Sequence, residues 1–374
     1  MKKIIFILLF NSIVFLNIFC QHDSQLIETD IRHAKKNVSV SSLFSNIRFL
    51  PLETKRSSLI GEADKIRIMN NKIYLLDRYS ATALFIFNVT NGEFEFKIEA
   101  KGVGPGEFSQ IDDFSIDRNS NHIYILANAR NVYKYDSHGK LIEKYDLGFP
   151  AHRFSIVNNN SFVFCGAARE PELIITDNKF KIIKKMFPYQ HRRLGYMNTF
   201  SNMQGGTIYT RIYDCSFYTI EDFNIFKFFQ LSINGTKDNT KIIKEALSKG
   251  SNYPVPAIYK DGVMIANPLF SNDLQLFFSN ILHDDERYLL ISSIRDKHTE
   301  IYDASSLKDD IIEEIPFYIY NYTMTDDNEV VFLLYPHSLI KRKKIISNKE
   351  LCNVIENIND IANPILMFAT IIEQ

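Results

Sequence analysis

The chain has no tryptophan, four cysteines, eleven prolines and fourteen glycines in 374 residues. Apart from Cys20 the cysteines are Cys165, Cys215 and Cys352, an odd set with no CxxC spacing, so neither a disulfide framework nor a zinc site is indicated. Charge of one sign is also missing. Lys plus Arg total 43 and Asp plus Glu total 44, a formal net charge of −1. Nucleic-acid binding usually carries a basic excess, so no nucleic-acid partner is expected. No apolar run reaches the roughly 20 residues that a membrane helix needs. Apolar residues nevertheless make up 45% of the chain, with 30 Phe and 19 Tyr. That share is typical of a globular protein with a real core. Its aromatic bias suits half-buried strands.

The start of the chain stands apart. Met1-Lys2-Lys3 precedes an apolar stretch, Ile4–Phe19, broken by Asn11, Ser12 and Asn17. A basic start and a short apolar run read as a secretory signal peptide over residues 1–20. Cys20 closes the run and is a candidate for lipid acylation, although Phe19 stands where a lipobox has a small residue. The alternative is simple cleavage nearby. The expected location is therefore exported: periplasmic, outer-membrane lipoprotein or extracellular. Any membrane contact would run through that lipid alone. Residues 21–40 are expected to be an N-terminal linker. Cys165 and Cys215 lie in apolar runs and are expected to be buried as small hydrophobes.

A repeat runs through the rest. Similar strand–loop–strand patterns occupy residues 71–88, 121–136, 160–177, 206–221 and 286–303, with a shorter copy at 328–335. Asn91-Gly92 and His138-Gly139 are hairpin-type turn signals after two of the copies. Further strands precede and follow the copies. Four strands per unit, in about six units spaced 40–50 residues apart, predict an all-β, six-bladed β-propeller over 41–374. Lys237–Lys249 reads as a helix inside an insertion at about 232–273, and residues 348–360 read as a second short helix.

Three segments carry a family resemblance: IRFLPLETKRSSLIGEADKI (47–66), KGVGPGEFSQI (101–111) followed by FSID, and NPILMFATI (363–371). Together they resemble an exported six-bladed propeller family of Bacteroidetes, similar in appearance to NHL-repeat propellers. The resemblance spans nearly the whole mature chain and implies a fold and an exported location without an established chemistry. It also implies that 364–372 is a strand beside Ile47–Glu53, so that the N- and C-terminal strands close one blade.

Catalytic signals are absent from the pattern. The glycine-rich loop from Lys101 lacks the GK[ST] ending of a phosphate loop and reads as an inter-blade turn. There is no GxSxG motif, and no His clusters with a Ser or Cys. His152 and His191, beside Arg153 and Arg192-Arg193, read as exposed loop residues. Asp112-Asp113, Asp284-Asp285 and Asp326-Asp327 read as solvated or turn-capping carboxylates, because adjacent strand residues point to opposite faces. No metal site, catalytic residue or cofactor is therefore expected.

One register pattern is less bland. In NHIYILANAR, NSFVFCGAAR and ERYLLISSIR, Arg130, Arg169 and Arg295 align without gaps, and Arg78 falls two positions earlier. Equivalent loops of a propeller gather on one face, where guanidiniums bind carboxylate or sulfate bidentately. The alternative is pairing with neighbouring loop carboxylates such as Glu170 and Asp296. The reading that follows is a non-enzymatic exported propeller that binds a ligand or protein partner, such as an anionic glycan or an envelope protein. Rival readings are a carbohydrate- or lactone-active hydrolase or lyase with its site at the central channel, and a purely structural envelope module.

Overall fold

The computed structural model describes residues 24–372 except 100–101, 103, 105–106, 159–160, 168–169, 189–198, 204–205, 252–253, 274 and 313–321. The chain enters as β1 (Gln25–Asp30) and β2 (Phe44–Pro51). Then come β3 (Lys65–Met69), β4 (Lys72–Asp77), β5 (Ala83–Asn88) and β6 (Phe94–Glu99), which form blade 1. Blade 2 is β7 (Ile111–Ile116), β8 (Ile123–Ala127), β9 (Asn131–Tyr135) and β10 (Leu141–Asp146). Blade 3 is β11 (Ala151–Asn158), β12 (Ser161–Gly166), β13 (Leu173–Asp177) and β14 (Ile182–Met186). Blade 4 holds β15 (Thr199–Met203), β16 (Gly206–Arg211), β17 (Ser216–Glu221) and β18 (Asn224–Asn234). Blade 5 is β19 (Met264–Phe270), β20 (Leu276–His283), β21 (Glu286–Ser293) and β22 (His298–Asp303). Blade 6 has β23 (Tyr322–Met324), β24 (Glu329–Leu334) and β25 (Ile365–Ile371), with β2 as its outer strand. The protein is a six-bladed β-propeller, as the repeat predicts.

Burial explains why the middle strands read as apolar runs. β4 and β5 are buried on both faces, whereas outer strand β10 is largely exposed. Each blade packs both faces against neighbours, so alternation survives only at the rim. Six apolar clusters fill the six inter-blade spaces. Phe85 and Phe87 of blade 1 pack with Leu366 and Phe368 of blade 6, and Tyr74 packs with Phe114 of blade 2. Phe154 and Phe164 join Leu126 and Tyr124 between blades 2 and 3, while Cys165 and Tyr209 meet between blades 3 and 4. Phe217 and Phe277 meet between blades 4 and 5, and Phe44 bridges Phe278 and Phe332 between blades 5 and 6. Stacked and edge-on aromatic pairs thus do the work that tryptophan would otherwise do.

Ring closure follows the expected plan. β25 pairs antiparallel with both β24 and β2, matching Leu366 to Leu333 and Leu50. The hairpin turns also hold: Gly92 and Gly139 have φ of +74° and +81°. A Cβ on Gly92 would meet the Pro51 carbonyl oxygen at 2.3 Å, so that turn also locks blade 1 against blade 6.

Two boundaries differ from expectation. The stretch expected to be a linker contains β1, which adds to blade 4 as a fifth strand, parallel to β18. Beyond it the chain runs along blade 5: Lys35 N donates to Ile301 O at 2.8 Å and Val40 N to Lys308 O at 2.9 Å. Unpaired edge groups on β18 and β22 are what attract this polar-rich segment. The insertion is also narrower than 232–273, because β18 continues to Asn234 and β19 starts at Met264. It contains α1 (Asn239–Ser248), capped by Asp238, and α2 (Val255–Asp261). Ile242, Ile243 and Ile258 bury against Tyr213. α3 (Pro336–Lys341) and α4 (Lys349–Glu356) lie between β24 and β25, and the Glu350 carboxylate accepts from Phe49 N at 3.0 Å, covering the edge of β2.

Candidate functional site

Inner strands of a propeller face the central channel, so their polar residues define its chemistry. Here the innermost strands β3, β7, β11, β15, β19 and β23 surround a cavity of about 120 Å³. Its walls include Asp64, Lys65, Arg67, Asp113, Arg153 and Thr199. Alternation along Lys65-Ile66-Arg67 sends both cations inward and leaves Ile66 in the core between blades 6 and 1.

Asp113 organises this cavity. Its Oδ1 accepts from Lys65 Nζ at 2.6 Å, and its Oδ2 accepts from Phe154 N at 2.9 Å. One carboxylate thereby ties β7 to β3 and β11. A bulge between Ile111 and Asp113 lets both adjacent aspartates be buried. Burial raises the Asp113 carboxyl, but Lys65, Arg153 and the Phe154 N–H outweigh it and hold it below the usual carboxylate range. Burial drives the Lys65 ammonium down to about 8 against the opposing pull of Asp113. Lys65 also donates to Phe114 O at 2.7 Å. Burial likewise lowers Arg67, which spans the channel to donate from Nη2 to Phe200 O at 3.0 Å.

Two polar atoms in the wall have no hydrogen-bond partner among the described residues. Arg153 Nε and Thr199 Oγ1 are fully buried and make no hydrogen bond. Buried donors are normally satisfied, so such atoms point to a missing partner. Arg78 stands just behind the wall. Its N–H donates to Asp64 Oδ2 at 2.7 Å, and its buried Nε is also unpartnered. Asp112 accepts from Gln110 Nε2 at 2.8 Å and from Ala129 N. Burial raises the carboxyls of both Asp64 and Asp112.

The four arginines of the sequence register do not form one cluster. Arg78 follows β4 and reaches the channel wall through Asp64. Arg130 follows β8, but its Nε pairs with Asp146 at 3.1 Å on an exposed rim. Arg169 lies outside the described residues, and Glu170 pairs with Lys185 at 2.8 Å. Arg295 follows β21, so it joins third to fourth strands, whereas Arg78 and Arg130 join second to third. Successive connections of an antiparallel blade alternate between the two faces. Arg295 is therefore on the opposite face, and Asp296 accepts instead from Ser293 Oγ at 2.8 Å. The gap-free alignment slipped by one strand because β20 and β21 are similarly apolar.

Other expectations also change. His152 is buried in β11, and Arg153 beside it lines the channel; neither is a loop residue. His191 and Arg192-Arg193 lie outside the described residues, as does Cys20. Asp112 and Asp113 are buried, while Asp284 and Asp285 occupy a left-handed turn and Asp326 pairs with Arg118. Among the described residues no group of three His, Cys, Asp or Glu is placed to hold a metal. Cys165 and Cys215 are buried and free, and burial pushes both thiols up. Reactive cysteines need the opposite shift.

A second charged cluster went unsignalled in sequence. Arg211 Nε donates to Glu172 Oε2 at 3.0 Å, and its other nitrogens bond Asp214 and the Tyr213 hydroxyl. Tyr213 in turn donates to Glu172. The guanidinium lies over the Phe187 ring at 4.7 Å. Arg211, Tyr213 and Glu172 are all buried, and burial beside Glu172 pushes the Tyr213 phenol far up. Such a network joins blades 3 and 4. Glu172 and Arg211 are 39 residues apart and come from neighbouring blades, so no local motif marks them.

The fold and this channel define a six-bladed propeller whose axial cavity is lined by fixed cations around one shared carboxylate. Residues 26–370 match the family described as Domain of unknown function (DUF4934), and the chain belongs to that family. Two solved structures are similar. One is a protein from Bacteroides fragilis NCTC 9343 named as exported, with 20% identity, a TM-score of 0.78, and 93% of this chain and 100% of that one covered. The other is a member of the DUF4221 family from Bacteroides vulgatus ATCC 8482, with 10% identity, a TM-score of 0.52, and coverage of 91% and 100%. At these identities the likeness concerns the fold alone. Among curated proteins none matches. Among the described residues, no helix is long and apolar enough to cross a membrane.

Proposed function

We propose that this protein is an exported, non-enzymatic binding module whose ligand places an anionic group in the axial channel. The exported reading rests on the N-terminal sequence and fits the Bacteroides fragilis neighbour. The observation that carries the binding reading is the pair of buried, unpartnered donors, Arg153 Nε and Thr199 Oγ1, beside Lys65 and Arg67. An anion in the cavity meets the Lys65, Arg67 and Arg153 side chains that line it. Acidic glycans are the leading ligand class, because exported proteins meet them and a carboxylate or sulfate fits guanidinium donors. Among the described residues, the wall carboxylates Asp64 and Asp113 accept from the Arg78 and Phe154 backbone N–H groups and from Lys65, which favours a binding role.

The test is calorimetric titration of the mature protein with an acidic oligosaccharide and its neutral analogue. Arg153→Gln and Arg67→Met should each weaken binding of the acidic ligand at least tenfold, while Arg130→Ala should leave it unchanged. Equal binding by all three variants would reject the channel as the site. Turnover of the oligosaccharide that is lost in Arg153→Gln would reject the non-enzymatic reading.

A further inference from the structure

Exposed large apolar side chains are unevenly placed. Among the described residues, those in strands or helices sit on the outer strands or on α1, as do Ile183 and Leu247. Those in connections are Leu59, Tyr79, Ile345 and Ile361, and three of them are the most exposed of all: Tyr79 and Ile361 at 72% and Ile345 at 62%. Topology puts the four on one face, over two neighbouring blades. Tyr79 lies in the second-to-third-strand connection of blade 1, and Ile345 and Ile361 lie in that of blade 6. Leu59 lies between β2 and β3, where the outer strand of blade 6 passes to the inner strand of blade 1. Buried side chains hold these turns together from beneath. Asn363 Oδ1 accepts from Ile60 N at 3.0 Å and its Nδ2 donates to Glu53 O and Ser58 O at 2.8 Å each, which fixes Leu59 beside the chain that carries Ile361. Asp77 accepts from the Gly61 and Glu62 N–H groups and from those of Ser80 and Ala81, which fixes Tyr79 against the same loop. Lys343 pairs with Glu356 at 3.4 Å and folds the Ile345 turn back onto the end of α4.

We infer that this face docks the protein on an anionic phospholipid surface, a contact independent of the channel. Apolar residues at separate turn tips enter a headgroup layer without any change in the ring, whereas a protein partner calls for a contiguous apolar core. A tyrosine and aliphatic tips among long cationic side chains suit a membrane–water boundary, since each has an apolar body or stem and the cations keep their heads in the wet layer. Charge selects the kind of lipid. Glu53 and Glu356 are already paired with Lys55 and Lys343. Asp64 and the buried Asp77 accept backbone N–H groups behind Arg78. Arg56, Lys341, Arg342, Lys344 and Lys349 remain, with no carboxylate partner among the described residues. Against them stand the exposed Glu62, Glu350 and Asp360, of which Glu350 is engaged by Phe49 N. The run Lys341-Arg342-Lys343-Lys344 leads directly into Ile345, so the densest cations and an inserting side chain share one turn. Each Lys or Arg brought to an anionic leaflet strengthens binding roughly fivefold.

Co-sedimentation with phosphatidylcholine vesicles, with and without one part in four phosphatidylglycerol, provides the test. The mature chain from Gln21 is used, so that no acyl group on Cys20 contributes. Binding to the mixed vesicles should exceed binding to phosphatidylcholine at least tenfold. Tyr79→Ser with Ile361→Ser, and Lys341→Glu with Lys344→Glu, should each weaken it at least tenfold, whereas Ile183→Ser on β14 should leave it unchanged. The absence of tryptophan supplies a second readout. Tyr79→Trp should shift its emission to the blue with mixed vesicles, and Ile183→Trp should not. Failure to bind the mixed vesicles, even where the same face captures a soluble protein, overturns the inference, and so does a blue shift in Ile183→Trp without one in Tyr79→Trp. Equal binding to both kinds of vesicle overturns the choice of anionic lipid. Arg153→Gln should leave vesicle binding unchanged, so this result and that for the channel are read separately. Far-UV circular dichroism of each variant separates loss of binding from loss of fold.

Discussion

Replacing Asp113 by Asn isolates the electrostatic centre of the channel. Asp113 is 1% exposed, and its carboxylate joins three inner strands through Lys65 and Phe154. Asparagine keeps the volume and a carbonyl oxygen but leaves the Lys65 ammonium uncompensated. Removing one partner of a buried pair typically costs about 3–5 kcal/mol. Lys65 has an 18% exposed side chain, so the lower end, about 3 kcal/mol, is expected at pH 6.5. The cost must depend on pH. Lys65 titrates near 8 when folded against an unfolded value of 10.5, so the unfolded chain holds more protons between those values. Wild-type stability therefore gains from this group as pH rises through that window. Without Asp113 the Lys65 value falls further, so the variant's gain begins at lower pH and is larger in total than that of the wild type. Above pH 9 the lysine is neutral in both proteins, and the difference shrinks to the lost hydrogen bonds, about 1 kcal/mol. Arg67 and Arg153 also face this carboxylate. Urea unfolding followed by far-UV circular dichroism suits a chain without tryptophan. A destabilisation that is the same at pH 6.5 and pH 9.5, or one below 1 kcal/mol at both, would refute the assignment of Lys65 and Asp113 as a working ion pair.

Other consequences can be checked separately. Deleting Ile365–Ile371 strips β2 and β24 of their shared partner; the chain should become insoluble or polydisperse by light scattering, and a monodisperse product with an unchanged melting temperature would contradict the closure. Arg130→Ala removes an exposed pair with Asp146 and should change urea stability by less than about 0.5 kcal/mol. Mass spectrometry of the envelope fraction should find a mature N-terminus at residue 20 or 21; an intact Met1 would reject cleavage, and a diacylglyceryl mass on Cys20 would decide for an anchored protein.

Much of the architecture was legible because propeller blades write themselves as apolar pairs around a turn. NKIYLLD and ALFIFN became β4 and β5, and NPILMFATI became the closing strand. The copies alone could not say which two of four strands they represented. In blades 1 to 4 they were the second and third strands; in blade 5 they were the third and fourth, which moved Arg295 to the far face. The strand at Gln25–Asp30 was hidden because its sequence, QLIETD, lacks a continuous apolar run, and its pairing is parallel and distant in sequence. The channel cations were hidden for a related reason. Lys65 and Arg67 alternate with Ile66 as on any half-exposed strand, and only ring closure turns that polar face toward an axis rather than toward bulk solvent. Arg153 reads as a loop residue in sequence because its place in β11 depends on pairing with β12.

The central claim is that the axial channel holds one anion between Arg67, Arg153 and Thr199. Bromide is a singly charged anion with an anomalous signal, so a crystal of the mature protein soaked in sodium bromide reports on the claim directly. The account predicts one dominant anomalous peak within the channel, in contact with Arg153 and Thr199, that disappears in Arg153→Gln. Peaks confined to rim residues such as Arg130 and Arg295, with none in the channel, would contradict it.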